Sequence, residues 1–296
     1  VAILNLGETL LTVLPQLDFV HIPVLMDHKY FGQKGDGDLH HLDIPKAAVG
    51  IVTGGIRTQE HLEVAEAMRA RCDIIIALGT CATHGGIPAL INLHDNQALM
   101  ERYYRTSETT DPHDTPADAV LPPILDRTYA LDEKIKVDIH LQGCPPHPDL
   151  IAEAIVALLE GRMPKLPIKS VCDTCPTIRT GKGKLKKVQR FTHNAHYDPA
   201  KPISEMHCLL EQGFQCMGPV TRAGCAGFSG EAPQCIRARV PCQGCYGPVK
   251  KDGNQLLDYL NALASNQIDI TSLTDRTTLL EFSGAHGLLQ RRAAGK

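Results

Sequence analysis

The chain has 296 residues, 43% of them apolar, and a formal net charge of −3. That size fits one large or two medium domains, and the nearly neutral balance gives no electrostatic basis for binding nucleic acid or an anionic membrane. Trp is absent and aromatic residues make up only 4%, which argues against base-stacking platforms. No apolar run approaches the ~20 residues of a membrane-spanning helix, and no secretory or twin-arginine leader is recognisable.

The sequence opens with VAILNLGETLLTVLP, which predicts a strand over residues 1–6, a tight turn at Gly7 and then a helix. IPVLMDHKYFG (22–32) fits a surface strand and loop as well as it fits part of a subunit interface. AAVGIVTGG (47–55) is a β-branched apolar run stopped by two glycines. Thr58 then predicts an N-cap with Glu60 in the first turn, and Leu62, Ala65 and Met68 recur at helical spacing. CDIIIALG (72–79) is a buried-strand pattern ended by GTCATHGGIP, and HDNQALMERYYRT predicts a helix before the polar loop SETTDPHDTP. Residues 91–134 read as an excursion between strands. IKVDIHLQG (135–143) predicts a third strand. CPPHPDLIAEAIVALLEG predicts a helix with Pro148 near its start, Ile151, Ile155, Leu158 and Leu159 on one face, and Gly161 past its end.

Alternating strands and helices with nearly continuous apolar strands imply an α/β fold with a covered parallel sheet. The expectation is a flavodoxin-like parallel-sheet domain over residues 1–165. A small irregular domain over 166–296 follows, where Cys, Gly and Pro dominate until NQLLDYLNALAS (254–265), a helix. TGKGKLKKVQR (180–190) reads as a solvated basic loop. A region so poor in core residues needs bound metal to hold a fold.

Eleven cysteines, eight of them between residues 172 and 245, point to metal rather than disulfides, since the count is odd and no secretory signal is seen. Cys81 and Cys144 each follow a predicted strand, at the sheet edge where ligands bind in open α/β folds. Two thiolates do not complete a four-ligand cluster. Cys172 and Cys175 with Cys208 and Cys216 form one set of four, and Cys225 and Cys235 with Cys242 and Cys245 form another. Either set could hold one zinc or one [4Fe–4S] cube. The wide spacing of Cys208 and Cys216, and the glycines and prolines around the cysteines, favour iron–sulfur.

Together, GTCA, GCPP, CLLEQGFQCMGP and PCQGCYGP resemble the small, electron-transferring subunit of [NiFe]-hydrogenases, in family order and over most of the chain. The likeness is to the cytoplasmic branch that feeds NAD(P)-, F420- or heterodisulfide-linked partners. It implies a linear chain of three [4Fe–4S] clusters between the Ni–Fe site of a separate large subunit and a flavin- or Fe–S-containing acceptor subunit. No catalytic residue is then expected on this chain. By resemblance, Cys81 and Cys144 are two proximal ligands. Cys172, Cys175, Cys208 and Cys216 are the distal ligands, with Cys172 where many relatives have histidine. Cys225, Cys242 and Cys245 are medial ligands, with Cys235 placed as a fourth. Cys72 is left for packing.

Two departures stand out. Thr53 replaces the glutamate of a Val-Glu-Gly found in many relatives. The other two proximal ligands, a C-x-x-C between the first strand and helix, are missing where Leu6-Gly7-Glu8 stands. Because ten ligands are kept, the expectation is a loop carrying that pair between Leu6 and Gly7 rather than a true deletion; without it the proximal site is incomplete. His84 reads as a structural histidine near that site, and His147 and Asp149 as caps. The glycine-rich turns lack a phosphate-loop lysine. The alternative function is a structural zinc-binding interaction protein with two four-cysteine sites. A related Fe–S subunit of a quinone-reducing complex is disfavoured by the cysteine-rich second half.

Overall fold

The computed structural model describes residues 6–22, 44–109, 111–112, 114, 121–181, 187–189, 192–273 and 276–289. The expected first strand apart from Leu6, the 22–32 stretch apart from Ile22, and the centre of the basic run lie outside the described residues. In chain order the elements are α1 (Glu8–Val13), β1 (Ala47–Thr53), β2 (Ile56–Thr58), α2 (Gln59–Arg71), β3 (Cys72–Leu78), α3 (Thr80–His84), α4 (Asn96–Glu101), β4 (Ile124–Tyr129), β5 (Ile139–Leu141), α5 (Pro148–Leu159), α6 (Gln234–Arg237) and α7 (Gln255–Ser265). Among the described residues no helix is long and apolar enough to cross a membrane.

The chain forms two compact units, one of residues 17–140 with 284–296, the other of 1–16 with 141–283. They differ from the expected division at residue 165 in placing 141–165 with the cysteine-rich part.

In the first of these units β1 and β3 pair in parallel, Val49 opposite Ile74 and Ile51 opposite Ile76, with β5 on the far side of β3. Ile75, Ile76 and Ala77 are wholly buried, as a strand covered on both faces requires. Thr58 caps α2 by accepting the His61 N–H at 3.3 Å, and Ala65 packs with Ile75 and Cys72. Cys72 is therefore a packing residue, and a Cβ at Gly50 would lie only 2.8 Å from its sulfur.

The third strand is shorter than its pattern. Residues 135–138 leave the ladder because the Asp138 side chain accepts the Ile75 N–H at 2.9 Å and its own amide donates to Ile75 O at 3.0 Å. The excursion holds an unexpected strand: β4 pairs antiparallel with β2. Buried Asn92 completes β4's edge, accepting the Thr128 N–H at 2.7 Å and donating to Thr128 O at 2.9 Å.

In the second unit the chain passes from Leu6 through Gly7, at φ 55°, into α1. On α5 the buried face is Leu150, Ile151, Ala154 and Ala157; Leu159 is exposed, a correction to the expected apolar face. Small alanines let the helix approach its neighbours, so periodicity of the large residues misplaces the stripe. α7, capped by Asn254 on the Leu257 N–H at 3.1 Å, buries Tyr259 and Leu263 in a core with Val171, Leu210, Met217 and four residues of the segment after α7, Ile268, Leu273, Leu279 and partly buried Ile270. That segment carried no clear sequence pattern.

Asp132 binds two histidines at once, His140 at 3.1 Å and His286 at 2.7 Å. Burial alone would push the Asp132 carboxyl up, but both hydrogen bonds and the nearby histidine charges hold it well below its ordinary 3.8. A depressed carboxyl contributes stability that is complete above its unfolded pKa and lost as the pH falls through the folded one. Asp132→Asn is therefore expected to destabilise the protein at neutral pH, with a difference from wild type that shrinks below about pH 3.8. Urea unfolding across a pH series measures it.

Candidate metal centre

The first cysteine quartet is assembled by short backbone ladders rather than by sheets or long helices. Cys172 lies in a single turn over Val171–Asp173, closed by Asp173, which accepts the Ser170 N–H at 2.8 Å and the Ser170 hydroxyl at 2.7 Å. Ile178 N–H donates to Met206 O at 2.9 Å and Cys208 N–H to Ile178 O at 2.8 Å, which joins the Cys172–Cys175 turn to the Cys208 loop. Glu211 locks this junction from inside. It is 2% exposed and accepts the amides of Thr180 at 2.8 Å and Gly181 at 2.7 Å and sits 3.1 Å from His207. Burial would raise the Glu211 carboxyl, but these amides hold it below its usual range.

The thiols of this quartet act on one another. Burial pushes Cys172 up, and repulsion from Cys216, Cys208 and Cys175 adds to it. Burial likewise raises Cys208 and takes Cys216 up to about 12, against the opposing effect of the nearby Gly218 and Cys242 amides. At Gly218 a Cβ would meet Cys172 Sγ at 3.0 Å and Cys216 Sγ at 3.6 Å, so only a glycine leaves the space beside these sulfurs open.

The second quartet lies in the same unit. Cys235 is in α6, and Cys242 and Cys245 flank a turn with Gly244 at φ 89°. Burial raises Cys225, Cys242 and Cys245, the last to about 12, and the neighbouring thiols act in the same direction: Cys235 on all three, Cys225 on Cys245. Backbone amides oppose this, Gln234 at Cys225, Gly244 at Cys242 and Cys144 at Cys245.

The quartets meet at one bond: Cys242 N–H donates to Cys216 Sγ at 3.3 Å, and Met217 N–H returns to Cys242 O at 2.9 Å. Mutually repelling, largely buried thiols with the Cys242 amide on Cys216 resist deprotonation alone but suit a polynuclear, positively charged group bound through thiolates. Among the described residues, no three His, Cys, Asp or Glu side chains close on a point as the ligands of one ion would. The donor set, the open space at Gly218 and the amide–sulfur bonds fit an iron–sulfur cube.

Cys81 and Cys144 fall in different units. Cys81 sits in α3, one residue past the Gly79–Thr80 step that ends β3, and Gly86 passes so close that a Cβ there would lie 2.8 Å from its sulfur. His84, in the same helix, is buried with Nδ1 2.8 Å from Thr83 Oγ1, a structural placement. Cys144 is exposed, follows Gly143 at φ 136°, and precedes the capping residues of α5. His147 caps α5 by accepting the Asp149 N–H at 3.2 Å, and Asp149 accepts the Phe228 N–H at 3.0 Å. Glu211, Tyr246 and the Cys242–Cys216 bond carried no sequence signal beyond adjacency to cysteine.

Residues 1–158 match the family described as NADH ubiquinone oxidoreductase, 20 Kd subunit. A subunit of the vhu F420-non-reducing hydrogenase of Methanocaldococcus jannaschii is 36% identical over 295 residues, 99% of this chain and 93% of that protein. The iron-sulfur subunit of the F420-non-reducing hydrogenase of Archaeoglobus profundus is 33% identical over 93% of this chain and 86% of its own length. A solved structure of an NAD+-reducing [NiFe]-hydrogenase in the H2-reduced state superposes with a TM-score of 0.49 at 28% identity, covering 60% of this chain and 89% of that one.

Gly143 sits in a tight turn: a Cβ would stand 2.6 Å from Pro146 Cα and 2.8 Å from Pro145 O, both backbone. Gly143→Ala is expected to lose about 1–3 kcal/mol from backbone strain of this kind, read as a lower urea midpoint.

Proposed function

We propose that this chain, which belongs to the family of small, iron–sulfur subunits of F420-non-reducing hydrogenases, relays electrons between the Ni–Fe site of a separate large subunit and a flavin- or iron–sulfur-bearing acceptor subunit in the cytoplasm. The observation that carries this reading is the hydrogen-bonded contact of two four-cysteine sets, Cys242 N–H on Cys216 Sγ at 3.3 Å. On this reading Cys172, Cys175, Cys208 and Cys216 hold the distal [4Fe–4S] cluster. Cys225, Cys235, Cys242 and Cys245 hold the medial one. Cys81 and Cys144 supply two ligands of a third, proximal cluster. The bound clusters would supply one-electron chemistry.

The work of this chain's own residues is to hold, insulate and tune. Thiolates fix each position, while apolar neighbours such as Val171, Leu210, Met217 and Tyr259 exclude water. Amides on the sulfurs favour the more negatively charged, reduced state. H2 chemistry and proton handling belong to the large subunit. The boundary at residue 165 separates, in function, a proximal-cluster part from a medial and distal part.

Cys235 distinguishes a four-ligand from a three-ligand medial site. Cys235→Ser is expected to convert the medial signal to that of a [3Fe–4S] cluster in electron paramagnetic resonance, with the distal signal unchanged. An unaltered medial signal would remove Cys235 from the ligand set. Purification from the native source is expected to bring with it a larger, nickel-containing subunit.

A further inference from the structure

A cavity of about 490 Å³ lies in the cysteine-rich unit, within the size range of small-molecule sites. Part of its wall is the junction between the quartets. Cys242, whose N–H donates to Cys216 Sγ at 3.3 Å, and Met217, whose N–H donates to Cys242 O at 2.9 Å, both line it. Among the described residues Cys242 is the one cysteine of the wall, so the cavity is not the space that either quartet encloses. The segment at 188–189, which also lines it, is tied down. Val188 N–H donates to Ser272 Oγ at 2.9 Å, and Gln189 N–H to Gly213 O at 2.6 Å. Met217, Pro241 and Leu273 supply apolar surface. Among the described residues of the wall the one charged group is Glu281, half-buried and without an ion pair to any described residue.

We propose that this cavity binds a small, flat, cationic one-electron carrier, which there exchanges electrons with the clusters of the two quartets without an acceptor subunit. The inference rests on the iron–sulfur reading above. The wall defines the class of molecule. The Met217 thioether is polarizable and favours contact with aromatic rings, and Pro241 and Leu273 cover the rest of a flat ring system. The lone carboxylate of Glu281 attracts a cation and repels an anion. Cys242, a ligand of one cluster in hydrogen-bonded contact with a ligand of the other, puts the occupant beside the junction of the two sites. A bipyridinium dication has these properties. It accepts one electron and leaves as its radical cation, while one cluster is oxidised by one electron; no bond breaks and no proton moves.

The test uses the purified complex and methyl viologen, and reads binding and turnover separately. Equilibrium dialysis is expected to show saturable, stoichiometric binding of methyl viologen. Glu281→Gln weakens that binding about threefold, the loss expected of one partly exposed ion pair. Thr278→Trp, which fills the cavity from an exposed position of its wall, abolishes it. With H2 as the donor, Glu281→Gln raises the KM for methyl viologen by the same factor and leaves kcat alone, and Thr278→Trp removes saturation. Iron, sulfide and the electron paramagnetic resonance of the H2-reduced clusters stay as in the wild type. Binding and KM indifferent to both substitutions overturn the proposal, as does a neutral quinone of similar size bound as tightly as methyl viologen. Should Thr278→Trp lose iron, Glu281→Gln decides alone, and an unchanged dissociation constant there overturns the proposal. Wild-type protein without iron sinks the iron–sulfur reading and the electron step with it, and metal analysis shows that before any variant is made.

Discussion

Cysteines gathered close together, with Cys208, Cys216 and Cys242 buried, impose the constraint on which the cysteine-rich unit depends. A buried thiol resists ionisation, and each added neighbour raises the cost, as the upward shifts of Cys172, Cys208, Cys216, Cys225, Cys242 and Cys245 record. The backbone answers with amides. The Cys242 N–H donates to Cys216 Sγ, and nearby backbone amides at the other sulfurs act against the upward shifts, which partly offsets the repulsion and readies the sites for a cationic group bound through thiolates. Irregular backbone is the natural material for this, because helices and sheets spend their amides internally.

The same amides link the sites to one another. Cys242 is at once a member of one quartet and the donor to Cys216 of the other. Ligand positions and sulfur hydrogen bonds are therefore not separable features: moving one loop alters the electrostatics of the next site. The surrounding core, with Tyr259 and Leu263 of α7 wholly buried, holds these loops in place where regular structure is scarce.

Much of this was legible in the chain. The β-branched runs at 47–53 and 72–78 became paired parallel strands, Thr58 caps its helix, and the apolar repeat at 254–265 became α7. What escaped depends on partners distant in sequence. β2 has only three residues and exists because β4 pairs with it. The third strand starts late because one side chain, Asp138, takes the place of a backbone partner. Asp132 meets His286 across 154 positions, and Tyr246 reaches back 99 to His147. No local pattern announces either.

Metal and sulfide analysis of the purified chain, combined with Mössbauer spectroscopy, decides whether the two quartets are iron–sulfur sites. Iron and acid-labile sulfide in equal amounts, enough for a [4Fe–4S] cube in each quartet and with magnetic interaction between the two reduced clusters, is the outcome the hydrogen-bonded contact of Cys242 with Cys216 requires. Zinc in place of iron, with no sulfide and no visible absorbance, would contradict it.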